Sequence, residues 1–160
     1  DELVELWYAP LFATLSQVTH DHDAERAIDR LFAVLDQLVI LMADNAAIVS
    51  QLLSDTLAGE PAAQRFALKM PWRHPKLVMD LIGEAQAQGD LVADDPRHLL
   101  LFIVMALGMP MLMAKGPLQR CDWLPEAAAP LIARMADANE ARRRLKWALA
   151  GIRITRREHE

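Results

Sequence analysis

The sequence predicts an all-α bundle, and three observations carry that prediction. Apolar residues recur at helical spacing along most of the chain. No run alternates with period two and no Asn-Gly or Asp-Gly turn occurs. Pro, Gly and Asp stand where helices would begin and end. Composition agrees: 53% of residues are hydrophobic and only 6% aromatic, the apolar share being mainly Leu, Ala, Ile, Val and Met. Leu, Ala and Met lose little side-chain freedom in a helix. A chain of 160 residues suits one domain with a sizeable core. We expect a single domain over 1–160, an orthogonal bundle of about six to eight helices.

Leu3, Leu6, Trp7, Leu11 and Phe12 form a first amphipathic segment, kinked or interrupted at Pro10. The polar run His20-Asp21-His22-Asp23 ends it, and Asp23 is placed to cap the next helix. Ile28, Leu31, Leu35, Leu38, Val39 and Met42 then make the cleanest helical stripe in the sequence. Asp44-Asn45 predicts a break. Ile48, Val49, Leu52, Leu53 and Leu57 form another stripe, with Gly59 at the C-terminal stop. Pro61 starts a short helix through Lys69, which Pro71 ends. Pro75 opens a helix carrying Leu77, Val78, Leu81, Ile82 and Ala85, closed by Gly89.

Asp95-Pro96 supplies an N-cap and a first helical position. An uncharged helix over 99–114 follows, running up to Lys115-Gly116-Pro117. Pro125 opens a segment with Leu131, Ile132 and Met135, which Asp137-Ala138-Asn139 bends or breaks. A last helix carries Leu145, Trp147, Leu149 and Ile152.

The net charge of -5 disfavours phosphate, so these residues make a poor nucleic-acid binder. The cations are unevenly spread. Arg26 and Arg30 are the only two in the first sixty residues, whereas Arg142, Arg143, Arg144, Lys146, Arg153, Arg156 and Arg157 crowd the last twenty. A basic helix end complements the helix dipole. Cys121 is the single cysteine, which excludes an internal disulfide and any multi-cysteine metal site and fits a cytoplasmic protein. The start at Asp1-Glu2 has no signal-peptide pattern, and the missing initiator Met points to a fragment or processed chain. Residues 99–114 reach the short edge of a bilayer span. Gly108 and Pro110 interrupt them and no second such segment stands out, so a buried helix is expected and no membrane association.

Catalytic signatures are missing. The chain has no Gly-rich phosphate loop, no Gly-x-Ser-x-Gly, no Cys-x-x-Cys and no Glu-x-x-His. No cofactor, metal or catalytic residue is expected. His20-Asp21-His22-Asp23 holds metal-ligating side chains, but at a helix boundary, where Asp caps and His is solvated. Asp36 borders an apolar face and reads as a surface carboxylate. Met105, Met109, Met111 and Met113 cluster in the uncharged helix, and Met suits adaptable binding surfaces as well as ordinary core. That helix has two apolar faces. Leu100, Ile103, Leu107 and Pro110 lie on one; Phe102, Met105, Met109 and Leu112 lie roughly opposite. A small domain covers one face with its own helices, and a twofold partner commonly covers the other. Which face meets the partner is left open.

The run His74-Pro75-Lys76-Leu77, Ile82-Gly83-Glu84-Ala85-Gln86-Ala87-Gln88-Gly89-Asp90-Leu91, Asp95-Pro96 and the long apolar helix with Gly108 resembles the C-terminal regulatory domain of TetR-type transcriptional repressors. The opening Asp1-Glu2-Leu3 is similar to the start of that family's regulatory core. The resemblance covers essentially the whole chain. It implies a bundle that dimerises through its C-terminal long helices, a largely apolar effector pocket in each subunit, and a population shift that releases operator DNA. The family's helix-turn-helix head is absent from these residues, so either DNA is reached through a head removed or left out of the fragment, which is the favoured expectation, or the chain is a stand-alone sensor.

Trp7, Phe32, Phe66, Trp72, Phe102, Met105 and Met109 are then the expected pocket wall for a small hydrophobic effector, aromatic or cationic. Leu100, Ile103, Leu107, Leu131, Leu145 and Leu149 are the expected dimer seam. A dimeric helical adaptor without ligand is the first rival. A bundle enzyme using residues such as His20, Asp36 and His98 is the second.

Overall fold

The computed structural model describes residues 2–21, 26–70 and 73–154, without the side chains of 2–4, 7, 11 and 18–21. Among them are seven α-helices: α1 (Glu2–Asp21), α2 (Ala27–Leu57), α3 (Pro61–Lys69), α4 (His74–Ala87), α5 (Pro96–Lys115), α6 (Ala129–Ala136) and α7 (Ala138–Ile152). Two short 3-10 turns, Pro117–Arg120 and Glu126–Ala128, link α5 to α6. The described residues hold no strand, only one antiparallel bridge between Leu91 and Arg153. The all-α class therefore stands.

The stop and start signals act as the sequence requires. Gly59 (φ 89°) and Gly89 (φ 75°) take the left-handed conformation just past α2 and α4, where a side chain would be strained. Asp95 caps α5 by accepting from the Arg97 backbone N–H at 2.9 Å. Asp137 does the same for α7 through Glu140 N–H at 2.9 Å, so Asp137-Ala138-Asn139 is a helix boundary rather than a bend.

Several expectations are corrected. α1 runs through Pro10, whose missing N–H removes one bond without ending the helix. Asp44-Asn45 does not break α2, which is continuous for 31 residues. Asn45 Nδ2 donates to the Leu41 carbonyl, one turn back, so its amide is satisfied within the helix. The start of α2 is not read from its own cap. Arg26 makes no side-chain cap, and the Ala27 N–H donates instead to Gln88 Oε1 at the end of α4. Asp23 lies outside the described residues. α2 is also a second helix, besides α5, long and apolar enough to cross a membrane by length and composition. The two pack against each other within the bundle, and Asp36 of α2 forms a two-point ion pair with Arg142 of α7 (2.7 and 3.0 Å).

α2 is the central element. It packs against α1, α3, α4, α5 and α7. Ala27, Ile28, Leu31, Val34, Leu35 and Val39 follow helical spacing and are buried, continuing through Ala46 and Ser50. Ile82 and Val78 of α4, Ile103 and Met111 of α5, and Leu145 of α7 meet this stripe in one core. Each large aliphatic side chain buried this fully contributes about 1.5–3 kcal/mol.

Close approach at the end of α5 fixes one further residue. A Cβ on Gly116 would lie 1.7 Å from Ser50 Oγ and 2.8 Å from Ser50 Cβ. The hydroxyl can rotate away, but the Cβ moves only with α2. Gly116→Ala is expected to lower stability by about 1–3 kcal/mol. An unchanged denaturation midpoint would show that α5 and α2 separate more freely than this contact implies.

Candidate functional site

An apolar cavity of about 150 Å³ lies between α2, α4 and α5. Leu35, Leu38, Val39 and Met42 line it from α2, and His74, Pro75 and Val78 from α4. Leu100, Ile103, Val104, Leu107, Gly108 and Met111 come from α5. The spacing of each set is one helix face, so three stripes converge. Gly108 leaves room at the centre: a Cβ there would make only an ordinary 3.7 Å contact with Met42 Cε.

His74 is the one lining residue whose side chain forms strong hydrogen bonds. It opens α4, and Pro75 behind it suits the first turn. Its Nδ1 lies 2.5 Å from the Tyr8 hydroxyl of α1. The His74 backbone N–H in turn donates to the Tyr8 oxygen at 3.5 Å. Burial, aided by the neighbouring Arg73 charge, pushes the imidazole pKa down to about 4. Burial likewise raises the Tyr8 hydroxyl above its usual value.

Behind this pair sits a braced cation. The Arg73 Nη2 donates to both oxygens of Glu5 at 2.7 and 2.6 Å, and those bonds hold the Glu5 carboxyl below the usual range. Its guanidinium lies 4.6 Å from the Tyr8 ring centroid and 5.3 Å from that of Phe66. α1, α3 and α4 are thus joined around Tyr8.

None of the expected pocket-wall residues lines this cavity among those described, and three of the expected seam residues do. Phe102 and Met105 point outward, 46% and 52% exposed, and Phe32 is also exposed. Met109 is half-buried and does not line the cavity. Phe66 is buried against Tyr8, with ring centroids 5.6 Å apart, beside the site rather than in it. Trp72 and the Trp7 side chain lie outside the described residues. Of the expected seam, Leu100, Ile103 and Leu107 line the cavity instead. Leu145 and Leu149 are buried in the chain's own core, which leaves them no surface for a partner. Leu131 alone is exposed. The outward apolar side chains of α5 are Leu101, Phe102, Val104 and Met105, and Trp147 on α7 is exposed as well.

The residues weighed for catalysis are not brought together. Asp36 is taken by Arg142, and His98 is exposed beside Asp94 of the preceding turn at 3.1 Å. The side chains of His20-Asp21-His22-Asp23 lie outside the described residues. A second, wider groove of about 660 Å³ runs between the end of α5, the 3-10 turns and α6. It mixes Lys115, Gln119, Glu126 and Asp137 with apolar residues, and it is largely open to solvent. The smaller cavity is the better candidate because it is more enclosed and its apolar wall holds a single strongly hydrogen-bonding side chain, that of half-buried His74. His74 was visible only as part of a helix start; a lone histidine carries no spacing that marks it.

Comparison with protein-family models, with curated proteins and with solved structures finds no match.

Proposed function

We propose that these residues are the effector-sensing and dimerisation domain of a cytoplasmic TetR-like transcriptional regulator, not an enzyme. It would bind a small apolar ligand and act on DNA through a helix-turn-helix head outside this sequence. The observation that supports this reading is the three-sided apolar cavity, whose α4 wall includes the His74-Pro75 start that carries the resemblance. Ligand-dependent spacing of α4 and α5 would bias one of two arrangements of the head. The homodimer would form through the outward α5 face of Leu101, Phe102 and Met105, an apolar surface in need of cover.

Thermal unfolding with benzene-sized hydrocarbons tests the pocket. Wild-type protein is expected to gain several degrees at saturating ligand. Gly108→Leu, which puts a side chain into the cavity, is expected to abolish that gain while remaining folded. Sedimentation at micromolar concentration tests the dimer. No thermal gain together with a monomeric species would remove the proposal.

A further inference from the structure

We propose that α1 is an acid-released arm: on acidification it undocks from α3 and α4 while α2, α4, α5 and α7 keep their common core. This stands whether or not the cavity holds a ligand.

The attachment of α1 is narrow. Among its described side chains only Tyr8 and Leu15 are buried. Leu15 reaches the core shared by α2, α4, α5 and α7, which is otherwise built without α1. Tyr8 is the other anchor, and its surroundings are polar. His74 lies at its hydroxyl, the Arg73 guanidinium over its ring, and Phe66 of α3 against its edge. One turn away, Glu5 bridges Arg73 and Lys69. A segment held by so few apolar contacts opens before the core does.

Docking also buries two groups that water would serve better. Arg73 Nη1 is buried with no hydrogen-bond partner among the described residues. The His74 imidazole is kept neutral, at a pKa of about 4, by burial and then by the Arg73 charge. Departure of α1 hydrates both. The ring then returns toward 6.5, so the undocked state binds the extra proton between the two values. Docking is therefore at full strength above pH 6.5 and weakens as pH falls toward 4. Glu5 acts in the same sense lower down, because its bonds to Arg73 hold its carboxyl below the usual 4.5. Lys69 and Arg73 stay charged throughout. The cavity walls that α2 and α5 turn toward His74 carry no titratable side chain.

Amide hydrogen exchange at pH 7.5 and 4.5, corrected for intrinsic rates, tests this. Protection in α1 is expected to fall about 10- to 70-fold more than in α5 and α7. His74→Gln is expected to abolish most of that difference. Glu5→Gln is expected to lower α1 protection at both pH values and keep the difference. A common fall in α1, α5 and α7, an α1 already unprotected at pH 7.5, or an equal fall in His74→Gln would overturn the proposal.

Should His74→Gln not fold, the wild-type protein decides alone. Its α1 protection is expected to drop roughly tenfold per pH unit between 6 and 4.5, with the His74 ring proton titrating near 4. A ring that titrates at its ordinary 6.5, or α1 protection that ignores pH over this interval, would overturn it.

Discussion

Between pH 7 and pH 4.5 the protein is expected to lose roughly 2–3 kcal/mol of stability through His74. The imidazole has an ordinary pKa of 6.5 in the unfolded chain and about 4 in the folded one. In that interval the unfolded state binds the extra proton, so stability is full above 6.5 and falls as pH drops toward 4. Protonation would also fix a donor on Nδ1, which lies 2.5 Å from the Tyr8 oxygen. The groups acting on the ring are Tyr8 from α1 and Arg73 before α4, with Glu5 of α1 paired to that Arg73. Tyr8 titrates far above this range. Glu5 is held below its ordinary 4.5, so its contribution is lost only at lower pH. The half-buried ring makes the figure an upper one. Urea midpoints at pH 7.5, 5.5 and 4.5 check it against His74→Gln, which removes the titrating group. Parallel acid slopes in the two proteins would mean that the ring is hydrated in the folded state.

Leu145→Ala is expected to cost about 2–5 kcal/mol. Leu145 is fully buried, and α7 packs through it against the α2–α5 pair. Its removal leaves a cavity at the centre of the core. The midpoint is expected to fall by the same amount at every protein concentration. A seam residue would behave otherwise, because its loss would be felt as weaker association and would vary with concentration. A small, concentration-dependent effect would return Leu145 to the interface.

Element identity was legible where local chemistry decides it. Asp95-Pro96, Pro61, Gly59 and Gly89 act within one or two residues of themselves, and each did what its side chain or backbone requires. Asp44-Asn45 misled because it signals only a local preference. The apolar stripe runs on beneath it to Ala46 and Ser50, and burial outweighs the preference of two polar residues. Site residues were less legible for a related reason. α5 carries apolar side chains on every face, so its sequence has no polarity to say which face turns inward. That choice lies with α2 and α4, which take Ile103 and Leu107 and leave Phe102 and Met105 outside. On α7 the buried set Ala141, Leu145, Ala148, Leu149 and Ile152 is a single stripe, and Trp147 falls beside it. Tyr8 and His74 are 66 positions apart, and nothing in either segment announces the other.

The bridge at Leu91 and Arg153 has a consequence for how the chain comes together. Val92 N–H donates to the Ile152 carbonyl and Ile154 N–H to the Asp90 carbonyl. Asp90 is itself buried and held by Arg26 at the start of α2. Three distant stretches therefore close on one point. Lengthening such a loop adds little to its entropic cost, about 0.6 kcal/mol per doubling, but remote contacts slow the search that forms them. During synthesis α2, α4 and α5 can assemble early, while this end of the bundle stays unlatched until Ile154 has left the ribosome.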